Sequence, residues 1–485
     1  MQKTRVNLLT VASYHHRPPL VSSRPFSTNR FPADTSVLFL SNLHPEPNAS
    51  AAGVRTAFLL EKLATSAGIT SVHYACGSSA SKATADTNTI LERMGVHFHV
   101  LPPNRSDLAK GFFQKFATTT NMLVILDRFY AEEMYSFHIH KHCPQAVTVL
   151  DMQDMHSLRH ARQHVIQTRD KLQAQSLDHL PLTERPSIDD SRLLRELASI
   201  YRSDLTIACS PAEMDLLRDH YQVPPEKLHV APLFGSSNSS SAAKMSLVPN
   251  NSSKRRDFVF VGGFRHDPNV DAVRQLKRLW PLILAKLQDS NVCVHIYGAY
   301  CPNQLQQQLH DPKQGFLVHG YHPSLSDILI YKRVMLAPLR FGAGIKGKIV
   351  DAWRHGLPVV TTPIGSEGML LDGDDWGGRV AMNDDDFVNA AIDLYQNTDH
   401  WNMAQKQATV LLSQLYDDAS QWDELAIRLL QALENRQERR SKDFTRAILW
   451  LQSSRSTEFF SKYIEYKEQH ERSDRQLIVP VVDKE

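Results

Sequence analysis

Ala337-Pro-Leu-Arg-Phe-Gly-Ala-Gly-Ile-Lys-Gly-Lys-Ile-Val-Asp-Ala352 is the stretch on which the fold turns. It follows the apolar run Val334-Met-Leu-Ala and leads into helical spacing that stops at His355-Gly356. Gly342, Gly344 and Gly347 allow a loop whose amides turn inward, and Lys346 and Lys348 place cations beside it. Glycines at a strand–helix junction cost backbone entropy, and what they gain is close backbone approach to a ligand. Free amides at a helix start together with fixed positive charge suit a phosphate-bearing anion.

Outward from that loop the same grammar repeats. Val261-Gly-Gly-Phe-Arg-His-Asp-Pro-Asn-Val-Asp271 again runs from strand through glycines to a helix, with Pro268 near its start. Taken alone, paired glycines after a strand mark only a tight turn. The apolar runs at 258–261, 292–297, 316–319, 334–337 and 358–362 alternate with amphipathic stretches such as 270–284. Short continuous apolar strands separated by helices predict a parallel sheet covered on both faces. This series predicts one doubly wound α/β domain over 257–385. A second series at 37–41, 72–76, 98–101, 122–126, 147–150, 205–209 and 228–231 predicts another over 34–235, with a helix from Val54 to Ala67 stopped by Gly68. Residues 236–256, rich in Ser and Asn, read as the linker. Residues 386–485 read as C-terminal helices, with a crossing back to the first domain left open. The polar span Thr168–Ser191 reads as an insertion or a charged helix, and the run Arg436–Lys442 as a solvated helix face.

The order FVGGFRHDPNVDAV, YGAY, HGYHP, APLRFGAGIKGK and GLPVVTTPIGSEG across Phe258–Gly368 resembles the C-terminal domain of family 4 glycosyltransferases (glycosyl transferases group 1), in a GAGIKGK-type subgroup. Val149-Leu-Asp-Met-Gln-Asp-Met-His-Ser-Leu-Arg159 is similar to an Asp-x-His-x-x-Arg stretch of their N-terminal domain. The resemblance implies a GT-B fold, with two Rossmann-like domains facing across a cleft. It also implies retaining transfer of a sugar from a nucleotide-diphosphate sugar to an acceptor hydroxyl, without a metal ion or a further cofactor.

Carried onto this chain, the resemblance places Gly262, Gly263 and Arg265 against the donor phosphates, with Gly344, Ile345 and Gly347 in the phosphate loop. Lys346 and Lys348 neutralise the diphosphate. Asp351 stands where the family's second motif glutamate holds the ribose, and a carboxylate can accept two hydroxyl bonds. Glu367 follows a strand end, where ligands collect in α/β sheets, and reads equally as a helix-start carboxylate. It implies His156 near the transferred sugar, with Asp154 and Arg159 beside it, and Gly53 with Arg55 on the loop opposite the diphosphate. Ala343 departs from the motif, whose first glutamate is absent. A non-catalytic nucleotide-sugar-binding protein and a nucleotide-sugar epimerase therefore stay open as alternatives.

Composition bounds the rest. At 485 residues, two large domains are expected. The hydrophobic fraction of 42% and charged fraction of 22% are those of a globular chain. A formal net charge of +2 gives no support to a nucleic-acid partner. Five scattered cysteines without a CxxC pair read as free thiols, and no zinc site is expected. No run approaches the roughly 18 apolar residues of a membrane span. Residues 1–33 lack Asp and Glu but carry Lys3, Arg5, Arg17, Arg24 and Arg30. That composition suits a mitochondrial or plastid transit peptide, or else the disordered tail of a cytoplasmic protein.

Overall fold

A computed structural model describes residues 30–47, 50–77, 89–172, 175–233, 235, 254–289, 291–371 and 376–477. The expected transit segment and linker lie almost wholly outside these residues.

The first domain carries a seven-stranded sheet. Its strands are β1 (Thr35–Ser41), β2 (Ile69–Cys76), β3 (Val96–Val100), β4 (Met122–Asp127), β5 (Val147–Asp151), β6 (Leu205–Ala208) and β7 (Leu228–Val230). The order is β3-β2-β1-β4-β5-β6-β7, and every pairing is parallel. The central strands β4 and β5 are buried at every position, as an apolar strand covered on both faces must be. The helix Ala51–Thr65 is capped by Ser50, whose side chain accepts from the Gly53 amide at 3.0 Å.

The second domain repeats the plan with six parallel strands: β8 (Arg256–Val261), β9 (Val294–Tyr297), β10 (Phe316–Gly320), β11 (Lys332–Ala337), β12 (Val359–Thr361) and β13 (Gly378–Val380). Their order is β10-β9-β8-β11-β12-β13. The helix Asp267–Leu287 has Pro268 in its first turn and buries Val273, Leu276, Trp280 and Ile283 against one face of the sheet. Two Rossmann-like halves are therefore present.

Three features depart from the expected layout. The second domain does not end at 385: the helices Asp384–Gln396 and Thr398–Leu415 complete it, burying Phe387, Leu394, Trp401 and Leu411. Only the next helix, Asp418–Glu434, returns to the first domain. Trp422, Leu425, Ala426, Leu429 and Leu433 recur at helical spacing and pack with Val37 and Phe39 of β1. The run Arg436–Lys442 is solvated on one side, where Glu438 and Lys442 are exposed, while its arginines reach the first domain. Arg440 donates to Asp204 at 2.7 and 2.5 Å and to the Ala146 carbonyl at 2.6 Å, and Arg439 donates to the Glu226 carbonyl at 2.7 Å. Local charge marks a polar residue without saying whether its partner is water or another part of the chain.

The polar span after Thr168 is a bridge between the domains. The helix His156–Leu172 crosses toward the second domain, and the segment beyond it seats the fully buried Leu177 in that domain's core beside Leu276 and Phe387. The helix presents partners at i, i+1 and i+8, positions that share one face. Arg162 pairs with Glu367, Gln163 donates to Asp267 at 2.8 Å, and Asp170 accepts both terminal nitrogens of Arg340 at 2.7 Å. Arg340 itself is 1% exposed and also binds Asp271. No helix among the described residues is long and apolar enough to cross a membrane. All five cysteines are free; Cys76, Cys143 and Cys209 are buried, Cys293 and Cys301 half-buried.

Candidate active site

The loops that follow the carboxyl ends of β5 and β6 meet those that follow β11 and β12. A Cβ placed on Gly344 would lie 2.9 Å from the Asp154 Cβ, and one on Gly368 would lie 2.6 Å from the Ser210 hydroxyl. Gly344 has φ +65 and Gly368 φ +73, so backbone conformation and close approach both call for glycine there. This is the edge at which open α/β sheets bind ligands.

On the C-terminal side, β8 ends in Gly262-Gly263. A Cβ on Gly262 would meet the Asn269 side chain at 2.6 Å. The Asn269 amide donates to the Gly263 carbonyl at 2.8 Å, and its oxygen accepts from Lys348 Nζ. Asn269 thus ties the first glycine turn to the second lysine, a link that sequence spacing does not reveal. Lys348 also lies over the Phe260 ring at 5.2 Å. Burial, with Lys346 adding repulsion, pulls its ammonium down to about 7. Lys346 is buried, and its Nζ donates to the Gly344 carbonyl at 2.7 Å. Burial lowers its pKa too, against the opposing pull of Glu367. Ile345 turns its side chain into the core of the second domain, leaving only its backbone to the loop. Gly347 opens the helix Gly347–Arg354, so its end of the helix points at the lysines.

Asp351 sits one turn into that helix, half-buried, with its carboxyl raised by burial despite Arg354 and His355. Arg265 is exposed and stacks on Tyr300, 3.6 Å from the ring centroid; the structure gives it no contact with the lysines. Glu367 is not an open carboxylate either. Arg162 holds it with two bonds, at 2.6 and 2.7 Å, and donates again to the Gly342 carbonyl at 3.0 Å.

On the N-terminal side, His156 opens its helix beside the cleft. Its Nε2 lies 3.2 Å from Asp154 and its Nδ1 3.2 Å from the Tyr130 hydroxyl. Burial pushes the imidazole down to about 4, with Glu196 opposing, so the ring is neutral near pH 7. Arg159 forms an ion pair with Asp154. The helix-start amides are held by buried carboxylates. Glu196 accepts from the His156 amide at 2.7 Å and the Ser157 amide at 3.1 Å, and Glu213 accepts from the Met155 amide at 2.8 Å.

Gly53 and Arg55 do not form a loop facing the lysines. A Cβ on Gly53 would lie 2.3 Å from the Glu46 carbonyl oxygen, so the helix start packs directly on that backbone. Arg55 is 1% exposed, bonded to Asp151 at 2.8 Å and to the Ala231 carbonyl at 2.6 Å. It ties β5 to the segment after β7, because a buried guanidinium needs a carboxylate and carbonyls to replace water.

Sequence reasoning missed Arg162, Glu196, Glu213, Asn269 and Arg340. The one available signal was position: Glu213 follows the end of β6, and Arg162 lies one helical turn after Arg159. One further group, Asp257, Cys293 and His295, has the donor types of a metal site. It lies at the amino end of β8, away from Gly262. Its Asp257 oxygens are already engaged by the Cys293 amide at 3.1 Å, His295 at 3.3 Å and Lys332 at 3.6 Å, so it is a satisfied polar network.

A family profile described as Glycosyl transferases group 1 matches residues 255–397. No curated protein sequence matches the chain significantly. Among solved structures, HepE from Anabaena, determined with UDP and glucose, is 14% identical with a TM-score of 0.55, covering 81% of this chain and 98% of its own. A glycosyltransferase from Rickettsia africae is 10% identical with a TM-score of 0.57, covering 84% and 99%. An O-GlcNAc transferase mutant from Thermobaculum terrenum is 12% identical with a TM-score of 0.50, covering 84% and 71%. At these identities the likeness establishes the two-domain GT-B fold. The profile match falls on the domain that carries the paired glycines, Lys346, Lys348 and Asp351, and it identifies residues 255–397 as a glycosyl transferases group 1 domain.

Proposed function

We propose that the donor's diphosphate lies between the Gly262–Gly263 turn and the start of the helix Gly347–Arg354. In this reading Lys346 and Lys348 neutralise its charge and Asp351 accepts the ribose hydroxyls. The acceptor hydroxyl enters past His156 and attacks from the face the diphosphate leaves, so that configuration is retained. The departing phosphate takes the proton, while the lysines and loop amides stabilise the charge that develops on it. His156 is neutral and held by Asp154 and Tyr130, which suits orienting the sugar better than carrying a proton. Arg265 and Glu367 have secondary places: Arg265 could reach the donor by leaving Tyr300, and Glu367 fixes Arg162 behind the loop.

The observation that carries this reading is Lys348. A largely buried ammonium whose hydrogen-bond partner is a neutral amide, with its pKa pulled to about 7, is short of negative charge. A diphosphate supplies that charge and restores full protonation. HepE binds UDP and glucose, which makes UDP-glucose the first donor to assay. Calorimetric titration with nucleoside diphosphates tests the site. Lys346→Ala and Lys348→Ala should each weaken binding by about 10- to 100-fold, the worth of a charge-assisted contact. Unchanged affinity in both variants would remove the phosphate assignment.

A further inference from the structure

The phosphate loop has alanine at 343, whose methyl packs on the first domain's core but offers no polar group, and the loop is held across the domain interface by its backbone as well. The Gly344 amide donates to Glu213 Oε1 at 2.8 Å, and the same oxygen accepts from the Met155 amide at 2.8 Å. Glu213 stands on the short helix Pro211–Asp215 of the first domain, is 2% exposed, and its other oxygen has no hydrogen-bond partner. Met155 immediately precedes His156, and Gly344 lies two residues before Lys346. One carboxylate oxygen therefore grips the backbone beside each half of the site.

We propose that Glu213 is a positioning residue that fastens the phosphate loop of the second domain to the His156 turn of the first. The proposal rests on the reading given above, since it matters to catalysis only if the loop and His156 serve one reaction. The carboxylate touches neither sugar nor phosphate; it sets the separation between the groups that do. Both amides gain the acceptor they need in a site closed to water.

The surroundings add a pH dependence. Glu213 is faced by Lys346 from the loop, by Glu367 from the segment after β12, where Arg162 of the helix His156–Leu172 pairs with it, by His156 and Arg159 from that same helix, and by Cys209 from the end of β6. Burial, above all, pushes its carboxyl up to about 7, with the Met155 amide and Lys346 pulling the other way. A carboxyl freed into solvent returns to near 4.5, so the fastened state takes up a proton. Fastening is thus strongest below about pH 4.5 and weakens as pH rises from there through about 7. The proton resides on the unpartnered oxygen while Oε1 goes on accepting.

Glutamine keeps that acceptor without titrating, and alanine removes it. With a donor that the wild type turns over, Glu213→Ala should lower kcat by about 10- to 100-fold and leave nucleoside-diphosphate affinity within about threefold. Glu213→Gln should keep kcat within about threefold at pH 5 and lose the wild type's decline as pH rises through about 7. Hydrogen exchange of the peptide spanning 341–349 provides a readout independent of turnover. Protection of its amides should fall about tenfold or more in Glu213→Ala and persist in Glu213→Gln. Unchanged protection in Glu213→Ala would overturn the fastening. So would a glutamine variant as unprotected as alanine, and if the alanine variant fails to fold, glutamine's pH profile and protection decide alone. A wild type that turns over no nucleotide sugar would defeat the functional reading, with exchange still deciding the contact.

Discussion

Replacing Arg162 with methionine removes the ion pair that joins the helix His156–Leu172 to the second domain while keeping much of the side-chain volume. The guanidinium has no exposed surface and donates to both oxygens of Glu367, to the Gly342 carbonyl and, at 3.3 Å, to the Leu182 carbonyl. Removing one partner of a buried pair costs about 3–5 kcal/mol, because the other charge is left without compensation. Glu367 keeps 21% of its side chain exposed, so water recovers part of that cost, and about 3 kcal/mol is the expected loss. The assay is a double-mutant cycle of wild type, Arg162→Met, Glu367→Gln and both together, followed by urea unfolding and by kcat/KM. A coupling of about 2 kcal/mol or more is expected between the two sites. The pH dependence gives a second check. Burial alone would raise Glu367, but the Arg162 hydrogen bonds and charge prevail and hold it below its ordinary value. Its contribution is therefore present above about pH 4.5, lost as pH falls through the depressed value, and absent from Arg162→Met. A coupling within about 0.5 kcal/mol would refute the clamp.

Three further outcomes follow from other contacts. Leu177→Ala should destabilise the second domain by about 2–5 kcal/mol although the residue lies in the sequence of the first, as a lowered urea midpoint would show. Burial would raise Asp204, but Arg440 bonding and charge hold its carboxyl at about 2, against an ordinary 3.8, a difference worth about 2.5 kcal/mol. That stability is present above pH 3.8 and lost as pH falls through about 2; Arg440→Ala should remove a similar amount at pH 7 and open the chain after Lys442 to protease. Asp351→Ala should weaken nucleoside-diphosphate binding about tenfold and leave inorganic pyrophosphate, which has no ribose, unaffected in the same calorimetric titration.

What could be read from the sequence follows from the range over which each interaction acts. Buried parallel strands are continuous apolar runs, so all seven strands of the first sheet and five of the six in the second coincide with runs visible in the chain. The exception, β13, is the three-residue Gly378-Arg-Val, too short and too polar to stand out. Glycine-rich turns were legible because their conformational demand is local: Gly344 needs both its positive φ and its closeness to Asp154. Partners distant in sequence were not. Arg55 looks like a loop cation until Asp151, 96 residues on, claims it, and Glu367 looks available until Arg162, 205 residues away, pairs with it. Glu213 lies in no motif, and its place in the site exists only once two domains have packed together.

In the proposed reaction this chain's loop and lysines release a nucleoside diphosphate from a nucleotide sugar with retention. The most direct measurement is proton NMR of UDP-glucose, and then of other α-linked nucleotide sugars, incubated with the protein while slow turnover to water proceeds. The nucleoside diphosphate should be released together with the sugar's α-anomer first, and both signals should be lost with Lys348→Ala. First appearance of the β-anomer, or no release from any donor, would contradict it.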